Sequence, residues 1–518
     1  RMGGAIYGRS NSGKKSTIVL KNDTSLRKNE ALVGDGGGGV YLYNSTLEVY
    51  DSSISDNSAK NGGAVYINPN GGGITMDNAT IENNTATWDG GGIVVKQSNY
   101  DVSIKNSRIT CNTAKGEDYN SFRGGGGIVF LNHGGDKTAE ISNTEISGNT
   151  APNGGGIYSS ASQINITGGS VYGNKAANTG AGIYTVNSST LNLNETEISG
   201  NGERNACLGG GINVSNSVLN ILGGRIMHNT AANGGGIYTD AGATVSLDQT
   251  TILGNTATQS GGGISCATNL MSVDGGVQIY GNTIRKTENG DETLSNLCLN
   301  GGTKLTVTNP VSELDSGFFE SRIYVTIDGG TGTGNITDGI TEDYSSYFFA
   351  DNTALRAFYD TEVYLAEGFT VTVDYGYGGR TEEITVPKGG TFDINEYPIH
   401  GDGGYIFGGW FADGNGYNFT KPVTQNFTLT AKWLKDGENA VSITPNKLYM
   451  LSDRASYLYI CAYKDGKLTG AVMREAKAYG MLNIPDTGLD IEGADTLSAF
   501  LWDGTWMPLC NGASTKMN

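Results

Sequence analysis

The widest gap between two repeats of this 518-residue chain holds the residue types that chemistry needs. Two insertions, "KGEDYNSFR" (115–123) and "LNHGGDK" (131–137), supply Glu117, Asp118, Tyr119, Arg123, His133, Asp136 and Lys137, with Trp88 and Asp89 one repeat earlier. Paired carboxylates about 5–10 Å apart would serve a glycoside hydrolase. Carboxylates around calcium, with an Arg or Lys base, would serve a polysaccharide lyase. Insertions on one face of a repeat protein are where such function collects. The ordinary reading of the same residues is a solvated loop of mixed charge, and no motif of those enzymes is matched. "GERNACL" (202–208), with Glu203 and Arg204, is a smaller insertion of the same kind.

A second set of residues could bind without reacting. The residue after each repeated Ile or Val is Tyr7, Tyr41, Tyr66, Val94, Val129, Tyr158, Tyr184, Asn213, Tyr238 and Ser265. Alternation along a strand points this column outward. Tyr158, Tyr184 and Tyr238, with Trp88, could then stack on a sugar chain. The competing reading, and the favoured one, is that like residues stack on each other and stabilise the repeat. Trp410, Trp433, Trp502 and Trp506 lie further on, in short β-rich stretches, where a large aromatic is expected in a core.

What must position these residues is a repeat of two words. The first is "GGAIY" at 3–7, "GGGVY" at 37–41, "GGAVY" at 62–66, and so on to "GGGIS" at 261–265. Its branched residue recurs at mostly 25–29 residue steps. The second is an aliphatic, two variable residues and Asn: Ile54 to Asn57, Ile81 to Asn84, Ile109 to Asn112, Ile146 to Asn149, Val171 to Asn174, and onward to Ile279 to Asn282. Between them run alternating stretches such as "ATVSL" (243–247), with the period of a strand buried on one face. Three short strands and three turns per repeat, without helical periodicity, predict an all-β chain: a right-handed single-stranded parallel β-helix. Its Ile residues should stack about 4.8 Å apart, its Asn residues should form an internal ladder, and its glycines should turn the corners.

The pairing of GG[AG][IV] with an aliphatic-x-x-Asn resembles the repeats of chlamydial polymorphic outer-membrane proteins, with Ile or Val in place of their aromatic. The resemblance covers roughly residues 1–300. It implies a surface-displayed β-helix used in adhesion, with no cofactor and no catalytic residue to carry over. Residues 369–433, with "GGWFADGNGYNFT" and "LTAKW", are similar to the Listeria–Bacteroides repeat, a small β domain of cell-surface proteins. The last stretch looks like terminal modules of proteins secreted by anaerobic Firmicutes.

The domains expected are therefore a β-helix over 1–366, regular to about 290 and capped by irregular coils over 291–366, a Listeria–Bacteroides-like β domain over 367–434, and an antiparallel β-sandwich-like domain over 441–512. "DG" at 465–466 signals a hairpin in the last. A net charge of −18 argues against nucleic acid or an anionic membrane as partner, and no apolar run is long enough to span a bilayer. The chain opens inside a repeat word, so further coils or an export signal are expected upstream. The six cysteines show no CxxC spacing, so no metal site is expected; Cys461 and Cys510 form the one pair that a disulfide could join. The function expected is adhesion or structural display on a bacterial surface, outside the cell, with an unidentified glycan or protein partner. The alternatives are a secreted lyase or hydrolase at the 115–137 insertion, where calcium would enter, and end-to-end self-association.

Overall fold

The computed structural model describes residues 3–10, 16–31, 34, 36–68, 72–98, 100–117, 124–134, 137–203, 207–287, 290–309, 311–314, 317–328, 332–394, 398–476 and 479–517. The chain divides into two compact units, residues 1–365 and 366–518.

The first unit is a parallel β-solenoid of eleven coils, counted on the 11-stranded sheet to which each coil gives its alternating strand. In one coil the chain runs through Ile157–Ser160, Gln163–Thr167 and Ser170–Tyr172. Each stacks in register on its counterpart in the next coil: Ile157 on Ile183, Ile164 on Leu191, Val171 on Ile198. The insertion coil keeps that register, with Ile93, Ile128 and Ile157 aligned. These stacked side chains form the core and are essentially inaccessible.

The aliphatic-x-x-Asn word does more than turn the chain. From Asn29 to Asn296 each side-chain Nδ2 donates to the Oδ1 of the next ladder Asn at 2.9–3.0 Å. Along the ladder the same Nδ2 also donates to a carbonyl of the preceding coil, as Asn174 does to Ile146 O at 2.9 Å, and the backbone N–H donates to the same Oδ1 as the side chain. Buried amides cost free energy unless paired, and here both Nδ2 hydrogens and both Oδ1 lone pairs are used. The ladder ends on a carboxylate: Asn296 donates its N–H and Nδ2 to Asp351, which also accepts from Thr326 Oγ1 at 2.6 Å. Burial pushes the Asp351 carboxyl up, against the lowering effect of these donors.

The corner glycines have separate reasons. Gly154 has φ +57°, a conformation that side chains disfavour. A Cβ on Gly155 would meet the carbonyl oxygens of Lys175 and Ala181, and one on Gly156 would lie 2.6 Å from Gly182 O and 3.1 Å from Asn174 Nδ2.

Most coils carry a fourth short strand beyond the three expected. After the ladder Asn come Thr85–Ala86, Thr113–Ala114, Thr150–Asn153 and Lys175–Thr179, which with Ser58–Ala59 form their own sheet, and Thr230–Asn233 to Thr283–Ile284 begin another. The inward Ala of this strand is buried in each of these coils up to Ala257. Between the two sheets lies the 202–208 insertion, where Cys207 takes the place of Ala and packs with Ala176, Ala181 and Ala231. Burial pushes its thiol up to about 11. All six cysteines are free, so the Cys461–Cys510 pairing considered above is not formed.

In the coils after residue 290, Arg322–Ile327 pairs with both Gln278–Tyr280 and Leu297–Leu299, joining the two strand columns of the unit.

The second unit contains two cores. One gathers Val371, Val373, Phe407, Trp410 and Leu429 with Tyr449 and Leu451, and Trp433 Nε1 donates to Tyr375 O at 2.8 Å. The other lies between the sheet of Ala440–Ile443, Lys447–Leu451 and Tyr479–Asn483 and the sheet of Ser456–Lys464, Lys467–Ala476, Thr496–Asp503 and Ala513–Lys516. Asp465 and Gly466, at φ 49° and 72°, make the hairpin turn their sequence signals.

Candidate functional site

The two insertions flank the strand Ile128–Leu131, and a four-residue strand separates its ends by roughly 10 Å. Asp118, Tyr119, Arg123, Asp136 and Arg204 lie outside the described residues. Trp88, Asp89 and Glu117 belong to the corner before the strand. Gly116 N donates to Trp88 O at 3.2 Å and Glu117 N to Thr87 O at 2.9 Å. Lys60 Nζ stands 3.0 Å from the centre of the Trp88 ring. Asp89 is buried, its N–H donating to Asn61 Oδ1 at 3.3 Å, and Glu117 faces Lys115 at 3.7 Å.

His133 and Lys137 belong to the other corner. Lys137 Nζ pairs with Asp101 at 2.6 Å. His133 occupies the inward slot that Ser98 and Ser162 hold in the neighbouring coils, and its N–H donates to Ser162 Oγ at 2.9 Å. Its side chain is fully buried with the ring 6.0 Å from that of Phe130, and the Ser98 backbone beside the ring favours its protonated form. Burial holds its pKa below the ordinary histidine value. It is a neutral core imidazole. Among the described residues no group of three or more His, Cys, Asp or Glu could hold a metal ion.

The tyrosine column follows the favoured reading, in which its rings pack on one another, and does not form an open outward platform. Tyr41, Tyr66, Val94, Val129, Leu131 and Tyr158 form a second hydrophobic cluster, with Tyr184 packed against it. Tyr158 is only 6 % exposed, and Tyr184 and Tyr238 are half-buried. The physical reason is the corner itself. The first glycine of each triplet folds its backbone over the side chain four residues later, so that a Cβ on Gly62 would lie 3.0 Å from Tyr66 Cβ. The rings pack on one another, Tyr7 on Tyr41 at 5.2 Å and Tyr41 on Tyr66 at 5.5 Å, near-parallel, and Tyr158 on Tyr184 at 5.6 Å, edge-on. Burial raises the Tyr184 phenol.

The described candidates thus split between two corners, and Trp88, Glu117 and Lys137 each have a partner close by. Among the described residues the most exposed aromatic side chain is Trp506, in the second unit, at 62 %. The core location expected for the tryptophans holds for Trp410, 5 % exposed. It fails for Trp506, because the turn after Asp503 lays it beside Tyr459, on the face of its sheet opposite the core.

Comparison with known families agrees with this architecture. Residues 8–171 match the family described as right handed beta helix region. Residues 249–267, which contain the words "ILGN" and "GGGIS", match the Chlamydia polymorphic membrane protein repeat. No curated protein matches the chain. The first unit is a right-handed parallel β-helix. Its repeats are of the polymorphic-membrane-protein type, so the chain carries the features of a bacterial surface protein. Among the described residues no helix is long and apolar enough to cross a membrane.

Proposed function

We propose that this protein is displayed outside a bacterial cell, where the solenoid acts as a stiff, acidic scaffold for adhesion or structural display. The observation that carries the reading is the in-register stack. Eleven coils share one buried aliphatic core and one fully paired amide ladder, an arrangement that resists local opening. The repeat match and the net charge of −18 support the same reading. The enzymatic alternative at 115–137 has less behind it. Hydrolysis and elimination need groups that converge on one bond, whereas His133 is sealed in the core and Glu117 and Lys137 sit at opposite ends of one strand, each beside its own counter-ion. An antibody raised against the purified chain is expected to label intact cells of the source organism. Labelling that appears only after permeabilisation would overturn the proposal.

A further inference from the structure

In the last sheet the side chains of Ser456–Lys464 alternate cleanly. Leu458, Ile460 and Ala462 are in the core, and Tyr457, Tyr459 and Tyr463 are on the opposite, partly open face. On that face Tyr459 stands between Met473 and Phe500, and Tyr457 between Glu475 and Trp502. The turn after Asp503 adds a further ring. Trp502 and Trp506 lie 5.6 and 5.7 Å from Tyr459, and the two indoles stand 6.2 Å apart at 89°. They make an angular cradle whose outer wall is exposed.

Three features set this cradle apart from an incidental patch. Trp506 holds φ +65°, an uncommon conformation for a bulky residue and one that collects at binding sites. Asp503 fixes that turn in advance. Its Oδ1 accepts from Thr505 N at 2.8 Å, Thr505 Oγ1 at 2.7 Å and Met507 N at 3.0 Å, donors that hold its carboxyl below the usual range. The Tyr459 hydroxyl is buried at the cradle with no hydrogen-bond partner among the described residues, a cost that a ligand hydroxyl would relieve if the exposed Trp506 indole turned aside to admit it.

We propose that Tyr459, Trp502 and Trp506 form a binding site for a neutral polysaccharide. The apolar face of a pyranose would stack on the exposed Trp506 indole, and one of its hydroxyls would pair with Tyr459. The surrounding charge selects this occupant. Asp503 is engaged in its turn, Arg454 is held by Asp453 through bonds of 2.9 and 3.0 Å, and Glu475 is exposed. The rim is neutral to acidic, suited to an uncharged chain and unsuited to anionic lipid or an acidic glycan. The inference deepens the adhesive reading by giving it a ligand class and a place. The two fail separately: the antibody experiment tests display, and this site is tested by binding alone.

The test uses the full chain in affinity electrophoresis and calorimetry with soluble neutral probes, a β-glucan, a xylan and a mannan, alongside cosedimentation with vesicles of phosphatidylcholine and phosphatidylserine. The expected result is retention by at least one polysaccharide, weakened about tenfold or more by Trp506→Ala. Tyr459→Phe is expected to weaken it several-fold with no fall in Tm, since the lost hydroxyl has no partner among the described residues. Because Trp506 is exposed, its variant should keep the wild-type circular dichroism. Retention of none of the three polysaccharides, retention indifferent to Trp506→Ala, or Trp506-dependent binding to vesicles in place of polysaccharide would each overturn the assignment.

Discussion

Asn174→Ala is expected to lower stability by about 4 kcal/mol. The substitution removes the acceptor of Asn149 N and Asn149 Nδ2, at 2.9 and 3.0 Å, and the donor to Ile146 O and to Asn201 Oδ1, the last of which keeps only the Asn174 backbone N–H. The two Asn149 donors and the Ile146 carbonyl each lose a buried partner, and each orphaned group costs about 1–3 kcal/mol. Relief by local rearrangement is closed off, because the coils above and below hold the backbone in register. Asn165→Ala supplies the contrast. Asn165 lies in the adjoining strand on the outer face, where its amide reaches Glu140 at 2.8 Å, and its loss should cost no more than about 0.5 kcal/mol. Urea midpoints of the two variants, followed by far-ultraviolet circular dichroism, measure the difference. Equal effects would mean that the ladder is ordinary surface polarity turned inward.

The second large effect is expected at a corner. Gly155→Ala should cost about 3 kcal/mol or more, since the added methyl meets the carbonyl oxygens of Lys175 and Ala181, and backbone in a stacked coil cannot step aside as a side chain would. The middle position of the triplet is not barred to Ala everywhere, which gives the prediction its control. The coil at 180–182 reads Gly-Ala-Gly, and Ala181 is fully buried against Ala176, Cys207 and Ala231. In the following coil the Gly210 carbonyl keeps its place, accepting from Gly182 N at 3.0 Å as the Ala181 carbonyl does from Gly156 N, but Gly202, at φ 92°, stands where Lys175 stands for Gly155, so the backbone next to Ala181 takes a different path. Ala181→Gly should therefore destabilise by about 1 kcal/mol, while Gly155→Ala destabilises severalfold more. A stable Gly155→Ala protein would show that the corners are looser than their stacking implies.

These two contrasts also explain what could be read from the sequence. Ile157, Ile183 and Ile212 recur at the same place in the same word, and identical neighbours in a parallel stack leave little choice of register, so the core column and the asparagine ladder were legible. The ladder extends further than the spacing suggested, from Asn29 in "LRKN" to Asn296 and its Asp351 cap. The last link joins residues 55 apart, and no repeat marks it. The fourth strand did have a signal, the recurring Asn-Thr-Ala of 84–86, 112–114, 149–151, 229–231 and 255–257. A two-residue strand is too short for alternation to reveal it.

The tyrosine column shows a limit of another kind. Period-two alternation tells which way Tyr66 and Tyr158 point, away from the aliphatic core, but not whether backbone folds over them. The covering layer here is the glycine corner, whose path is visible only in three dimensions. Trp506 is the converse. Nothing in "DGTWMP" distinguishes an indole that closes a core from one lifted out of it; the left-handed turn held by Asp503 decides that. For the 115–137 insertion, residue types suggested convergence, yet the two halves are separated by a strand that the first word makes obligatory.

The measurement that bears most directly on the account is binding set against turnover. The full chain, immobilised, would be exposed to a panel of soluble polysaccharides and surface proteins, with bound material and newly formed reducing or unsaturated sugar ends quantified in the same wells. The account predicts retained ligand with no new ends. New ends appearing in proportion to protein and time would contradict it, and would place catalysis on a chain whose candidate acid and base residues would have to be sought again.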